Sequence, residues 1–346
     1  MVYVCGSETL PIAWAHAGHV PLPHGFNGAP SRKNGRPFAA GPVVLDVVIV
    51  VGGPAGLTAG LVLGRCRRRV LICDNGRPRN AASRALHGYL TRDGIAPSEL
   101  LRIGRDELGP YGIEMRQVTV VDVQPMPEGF SVTLEGGDAV IARIVLLATG
   151  VRDHLPAIEG IDACLGISAF HCPYCDGWEV RDRQLVVIGV RAAATSLALA
   201  LKTWSNDVTI CSNGPARLAS RHLEQLAAQH IAVHQSEIVR LDHERGQARQ
   251  LVLQKGAAVP CDAVFFATGQ SPHSDLPRRL GCEFTRRGTV KTDRLGHTCV
   301  PGLYVVGDAS RDVQFVVVAA SEGAKAAVAI NKALQQRAGL AAAPVP

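Results

Sequence analysis

No run of 18 apolar residues occurs in this chain of 346 residues, although 47% of it is hydrophobic and only 19% charged. A spanning helix needs about 20 such residues, so the pattern is that of a soluble globular protein. Blocks of one charge are also missing: the net charge of +6, from 36 basic and 30 acidic residues, is spread along the chain. The densest basic cluster, Arg65, Arg67, Arg68 and Arg69, falls where a helix is expected to end. Compensation of the helix dipole accounts for it better than nucleic acid does, and no nucleic-acid or membrane partner is expected. A second Cys-x-x-Cys is absent too, so the first has no partner with which to complete a four-ligand zinc site, and no metal is expected. The ten cysteines are scattered rather than framed as in small secreted proteins. That spacing suits a reducing cytoplasm, with most of the remaining eight buried as small hydrophobes.

Residues 1–44 differ from the rest: they are rich in Pro and Gly, lack any period and end at Gly41-Pro42 before Val43 and Val44. We expect a disordered extension there, and a native start near Val43 to Leu45. It does not read as a secretory leader, since its start is not basic and Glu8 and Pro11 interrupt the apolar stretch. A disordered tail is expected over 339–346.

What is present is centred on Phe170-His171-Cys172-Pro173-Tyr174-Cys175-Asp176-Gly177-Trp178-Glu179. Two cysteines separated by two residues can close a small disulfide ring, and so take or give two electrons as a unit. If Cys175 begins a helical turn, the dipole favours its thiolate, and Asp176 is placed to move a proton to or from a leaving thiol.

Such a couple needs a redox partner. Leu45 to Val51 is a nearly continuous apolar run, as a strand buried on both faces requires, and it enters Gly52-Gly53-Pro54-Ala55-Gly56. A helix from Leu57 to about Cys66 follows, then a strand from Val70 that ends at Asp74, 21 positions after Gly53. Strand, glycines, helix, strand and acid in that order form a dinucleotide-binding βαβ unit. The glycines let backbone approach a pyrophosphate, the helix start meets its charge, and Asp74 can hold a ribose hydroxyl. One departure stands out: Val51 occupies the first glycine position, where the tight turn usually wants no side chain.

A second unit runs from Leu185 to Gly189 through a helix ending near Trp204 to a strand at Val208–Cys211. Gly189 and Ala194 fill the first and third small positions, but Arg191 holds the middle one, and the second strand ends in Ser212-Asn213-Gly214 with neither an acid nor an arginine cluster. Arg191 binding phosphate directly and a repurposed site are both compatible with this pattern. The units are duplicates, closed by Ala148-Thr149-Gly150 and, 119 positions later, Ala267-Thr268-Gly269. Late in the chain a strand ends in Gly307-Asp308, and a helix is expected over Val313 to Gln335.

These motifs in this order resemble the low-molecular-weight thioredoxin reductase family of FAD-dependent disulfide oxidoreductases, over about Leu45 to Ala338. The resemblance implies an α/β fold of two Rossmann-type domains, the second inserted into the first: an FAD domain over 45–153 and 271–338, and an NAD(P)H-binding-like domain over 154–270 carrying the cysteine pair. It implies FAD along Gly52, Gly53, Pro54, Ala55, Gly56 and Asp74, beside Thr149 and Gly150. Gly307 and Asp308 would meet the ribityl chain, and Gln314, Phe315 and Val316 the flavin ring. Gly189 and Arg191 would face NADPH or NADH. Cys175 would sit against the flavin, Cys172 would attack the substrate, and Asp176 would be the acid. The implied activity moves electrons from NAD(P)H through FAD and the cysteine pair to a disulfide such as that of thioredoxin, in a homodimer whose domains rotate during turnover. Relatives with a weakened second nucleotide site are similar to flavin-dependent dithiol oxidases, which pass electrons from a small dithiol to O2, and others resemble ferredoxin-fed reductases. A flavin-binding redox sensor is a further alternative. Arg77 to Asn80 and His87 to Tyr89 look like a bacterial branch of the family, and are expected to pack on the flavin side as a loop and a helix start.

Overall fold

The computed structural model describes residues 44–311 and 313–340; of the extension expected over 1–44 and the tail expected over 339–346, residues 1–43 and 341–346 lie outside the described residues. The chain begins with β1 (Val44–Val50), α1 (Pro54–Arg65), β2 (Val70–Cys73), α2 (Pro97–Asp106), β3 (Glu114–Arg116), β4 (Val120–Met126), β5 (Gly129–Leu134) and β6 (Ala139–Leu147). It leaves this region along β7 (Val151–Asp153) and builds α3 (Ile161–Cys164), β8 (Ala169–Phe170), α4 (Pro173–Asp176), β9 (Leu185–Gly189), α5 (Arg191–Leu201), β10 (Val208–Cys211), α6 (Ser220–Ala228) and β11 (Ala232–His234). A meander of β12 (Ile238–Glu244), β13 (Gln247–Leu253) and β14 (Ala258–Pro260) precedes β15 (Ala263–Ala267). The chain returns along β16 (Gln270–Pro272), then forms α7 (Leu276–Arg279), β17 (Leu303–Val305) and α8 (Val316–Arg337).

Two sheets result. The first has the order β3-β2-β1-β6-β5-β4, with β17 also on β6; the second is β11-β10-β9-β15-β8, parallel throughout. β7 and β16 pair with each other, antiparallel, so the strand leading out and the strand leading back lie side by side. The second Rossmann-type domain is thus inserted into the first. The duplication is visible in register: Val47 faces Val70 on one side of β1 and Ile144 on the other, just as Leu185 faces Val208 and Ala263 across β9.

Burial explains why these runs are strands. Val47 and Ile49 point into one core with Leu63 of α1 and Ile330 of α8, while Val48 and Val50 point into another with Phe130 and Val132 of β5. A strand covered on both faces has no polar alternation, and each aliphatic side chain removed from water contributes about 1.5–3 kcal/mol. Helix α8 closes the first domain by lying on α1, with Gly323 over the Ala55 carbonyl.

Three boundaries differ from expectation, each because of a local backbone state. β1 stops at Val50 because Val51 turns left-handed, with φ 77°. α1 starts at Pro54, three residues before Leu57, because Pro fits the first helical position. α8 starts at Val316 and not Val313, because Phe315 is an extended N-cap at φ −91° and ψ 146°. No helix among the described residues is long and apolar enough to cross a membrane. Of the seven described cysteines outside the pair, Cys73, Cys164, Cys211, Cys261 and Cys282 are buried, as small hydrophobes are.

Candidate active site

The inserted domain carries the cysteine ring on a single helical turn. Cys172 caps α4 in extended conformation (φ −110°, ψ 112°), Pro173 opens the turn, and the backbone N–H groups of Cys175 and Asp176 both donate to the Cys172 carbonyl at 3.3 Å. A disulfide joins Cys172 to Cys175, whose Cα atoms are 5.3 Å apart. Cys175 therefore lies inside the turn, and the condition that it begin the turn is not met, because Pro173 already takes the first position.

Between the cysteines, Tyr174 is 69% exposed and touches both domains: its ring meets Trp204 edge-on at 5.5 Å and Phe315, the N-cap of α8, at 6.5 Å. Asp176 is pushed up to about 7, first by burial and then by the Glu179 carboxylate, with His87 pulling it back. A carboxyl near that value holds a proton at neutral pH and can release it, as a general acid must.

On the other side of the junction lies a guanidinium with all five N–H donors engaged. Arg79 Nε and Nη2 donate to the two oxygens of Asp153 at 2.8 and 2.6 Å. Nη1 donates to Asp308 Oδ2 and Gln314 Oε1, both at 2.8 Å, and Nη2 also contacts His171 Nε2 at 3.0 Å. An arginine can only donate, so His171 Nε2 must be an acceptor, and the neutral ring carries its proton on Nδ1. Burial, with Arg79 adding to it, holds His171 below its ordinary range against the pull of Asp153 and Asp308. His171 thus brings no positive charge to Cys172. Burial favours a raised Asp153, but the Arg79 guanidinium, with the Gln270 amide also donating to it, outweighs burial and holds this carboxyl below the usual range. Gln270 of β16 joins the cluster by donating to Asp153 Oδ1 at 2.7 Å and to Gln314 Oε1 at 2.9 Å. One arginine therefore ties both crossing strands, the start of α8, Asp308 and the residue before Cys172 into one network. A cavity of about 340 Å³ borders it, with Phe266, Thr289 and Arg311 in its wall.

The first nucleotide turn fits a flavin dinucleotide. The Gly53 Cα faces open space, while a Cβ on Gly56 would collide with the Val51 carbonyl, so the turn is tight behind and open in front. No side chain caps α1 and no acid stands in its first turn, which leaves its N-terminal amides for an anion. Asp74 follows β2, beside Gly52, and is paired with Arg105 at 3.3 Å. Thr149 is buried, and Gly150 is left-handed at φ 64°. Asp308 keeps Oδ1 without a hydrogen bond to any described residue, and Gly307 is held by the buried Glu322, which accepts its N–H at 2.9 Å. A second cavity, about 220 Å³, opens between Pro54 of α1 and Val316 of α8. Gln314 and Phe315 lie just outside it, in contact with Arg79 and Tyr174 respectively.

The second turn is built differently. Gly189 packs against Ala267, whose Cβ would lie 3.0 Å from a Cβ at 189. Arg191 is left-handed, with φ 59°, and its N–H is tied to the Ala216 carbonyl at 2.9 Å. After β10, Ser212 Oγ donates to the Gly214 carbonyl at 2.6 Å, and Asn213 Oδ1 accepts the Ile238 N–H at 2.7 Å. Ser212 is thus bonded within its own turn and Asn213 to the start of β12, and neither an acid nor an arginine cluster follows the strand. The Arg191–Ala216 bond also brings Arg217 to this edge, a basic residue that sequence reasoning missed because it stands six positions beyond the strand. Asp153, Gln270 and Glu322 were missed as well. The signal for the first two was available, since each lies one to three residues after a duplicated Ala-Thr-Gly turn. His87, expected at a helix start, lies in a loop closed by a Leu86–Ile95 bridge, and the helix begins only at Pro97.

Two dinucleotide-type folds with a disulfide ring at their junction define the class: an oxidoreductase that works through thiols. The chain belongs to the pyridine nucleotide-disulphide oxidoreductase family, which it matches over residues 45–323. It is 30% identical over 325 residues to a probable thioredoxin reductase of Arthroderma benhamiae, covering 84% of this chain and 80% of that protein. It is 28% identical over 303 residues to the thioredoxin reductase of Treponema pallidum, covering 82% and 94%. Among solved structures, HlmI is 40% identical with a TM-score of 0.83, covering 85% and 94% of the two chains. The putative thioredoxin reductase TrxB of Bacillus anthracis is 32% identical with a TM-score of 0.80, covering 85% and 99%.

Proposed function

We propose that this enzyme is an FAD-dependent thiol–disulfide oxidoreductase in which the Cys172–Cys175 ring exchanges electrons between a flavin held in the first domain and a dithiol or disulfide outside. The observation that carries this reading is the position of the ring: Tyr174 packs on Phe315, and Arg79 links His171 to Asp308 and Gln314, so the redox pair is docked against the residues expected around a flavin. A bound flavin supplies the two-electron acceptor or donor that the ring needs. Cys172 meets the substrate sulfur, Cys175 faces the cofactor side, and Asp176 supplies or takes the proton. Gly52 to Gly56, Asp74, Thr149, Gly150 and Asp308 hold the dinucleotide. The thioredoxin reductase direction takes electrons from NADPH or NADH and reduces a thioredoxin-like disulfide in a cytoplasmic homodimer.

A second reading is favoured by the second turn, where Arg191 is left-handed, Ser212 bonds within its own turn and Asn213 accepts from the Ile238 N–H, an arrangement that suits a nicotinamide nucleotide poorly. In that direction a small dithiol gives up two electrons and two protons, O2 takes them, and hydrogen peroxide forms. Anaerobic mixing of the purified protein with NADPH, NADH and dithiothreitol, followed by flavin absorbance, separates the two. Bleaching by NADPH or NADH supports the reductase. Bleaching by dithiothreitol alone, reversed by air with peroxide, supports the oxidase, and a colourless protein or a flavin inert to all three defeats both.

A further inference from the structure

Among the described residues, Glu322 is the most deeply buried charged residue, 8% exposed. It stands on α8 among Ala319, Gly323 and Ala326, small residues on the side that faces the core of the first domain. A carboxylate in such a wall is costly unless it is paired and hydrogen-bonded. Both of its oxygens are engaged, and both by the loop that carries Asp308. Oε2 accepts the Gly307 N–H at 2.9 Å, and Oε1 accepts Arg311 Nε. Arg311 then donates through Nη1 to Thr292 Oγ1 at 2.9 Å and to the Ser310 carbonyl at 3.2 Å, and through Nη2 to the Asp293 carbonyl at 2.8 Å. The Ser310 N–H closes the loop by donating to the Gly307 carbonyl at 2.9 Å. Gly307 in turn rests on the first turn of α1: it is left-handed at φ 73°, and a Cβ there would lie 3.4 Å from the Ala55 Cβ.

We propose that Glu322, with Arg311 as its counter-ion, is a positioning residue for flavin binding: it fixes the Gly307 amide, and so the place of the Asp308 carboxylate, against the dinucleotide turn at the start of α1. The inference rests on the flavin reading above. Asp308 follows Gly307 directly; Arg79 Nη1 holds its Oδ2 at 2.8 Å, and its Oδ1 accepts no hydrogen bond from any described residue. An acceptor for the hydroxyls of a ribityl chain binds best when its position is set beforehand, since little ordering is then left to the binding step. A carboxylate suits position 322 better than an amide does. Its two oxygens accept from two donors at once, whereas Gln would turn its own N–H groups against either the Gly307 N–H or the Arg311 guanidinium.

The test measures FAD binding to the deflavinated full chain by quenching of flavin fluorescence, with urea midpoints taken on the same proteins. We expect Glu322→Gln to weaken FAD binding by about 10- to 100-fold. In an Asp308→Ala background the same substitution should change it by less than about threefold, because the side chain it positions is already gone. A merely structural role predicts instead the same loss in both backgrounds. Ile330→Val, which loosens α8 in the core away from these contacts, should lower the urea midpoint and leave FAD binding unchanged. Should Glu322→Gln fail to fold, Arg311→Lys, which keeps the charge but not the fork of donors, carries the same comparison with a smaller loss. Equal losses in both backgrounds, undiminished binding in the single variant, a loss that Ile330→Val reproduces, or failure of both variants to fold overturns the inference and leaves the flavin reading intact. A parent chain that binds no FAD overturns both.

Discussion

The turns at Val51–Gly56 and Gly189–Ala194 occupy the same place in duplicated topology, yet they are built differently. Both follow a buried central strand, and both lead into a helix that begins without a side-chain cap. In the first, the left-handed residue is Val51, and Gly53 then presents open backbone to whatever lies before α1. In the second, the left-handed residue is Arg191 itself, with its amide committed to Ala216. The strand ends diverge likewise: Asp74 offers a carboxylate, whereas Ser212 donates to the Gly214 carbonyl and Asn213 accepts the Ile238 N–H. Duplication preserved the packing, which many aliphatic residues share, while the few turn residues between strand and helix diverged.

The largest expected effect separates the redox ring from both turns. Cys172→Ser should slow exchange with dithiothreitol by about 1,000-fold or more, measured as thiols released per minute, while bound flavin is retained. Next comes a direct contrast of matching positions. Gly56→Ala drives a methyl into the Val51 carbonyl, so flavin should be lost on purification along with about 1–3 kcal/mol in urea unfolding. Ala194→Gly should cost about 1 kcal/mol and leave the flavin-to-protein ratio unchanged.

Arg79→Gln tests the network across the junction. It leaves the partly buried carboxylates Asp153 and Asp308 without their cation, and we expect a loss of about 2 kcal/mol at neutral pH, allowing for their partial exposure. Since the folded state holds Asp153 below its unfolded value, this stabilisation is present above about pH 4 and is lost as pH falls through the lower folded value. Denaturation midpoints of parent and variant should therefore converge in acid. The smallest effect belongs to Val51→Gly. It relieves a β-branched residue at φ 77°, and after the added freedom of the unfolded chain a gain of about 0.5–1 kcal/mol remains, read from the same urea curves.

Much of the fold was legible because its signals are local. Continuous apolar runs announced β1, β9 and β15, the small residues after them announced α1 and α5, and the repeated Ala-Thr-Gly turns announced the duplication. The cysteine ring and its neighbouring acid were equally plain, since five consecutive positions carry them. The Arg79 network was not, because Arg79, Asp153, His171, Gln270, Asp308 and Gln314 are drawn from five separate segments, and no spacing rule links them. His87 was visible as a residue but not as a neighbour of Glu179, 92 positions away.

The sequence by itself determined the two Rossmann units, their order and the presence of a dithiol couple, since periodicity, glycine turns and a Cys-x-x-Cys are properties of short stretches. Only the tertiary structure decided which groups surround that couple: a neutral His171 held by Arg79, an Asp176 raised by burial, and a Tyr174 ring meeting Trp204 and Phe315. Electrostatic and hydrogen-bonding partners are set by distance in space, and here the residues that meet come from both sides of the inserted domain's crossing strands.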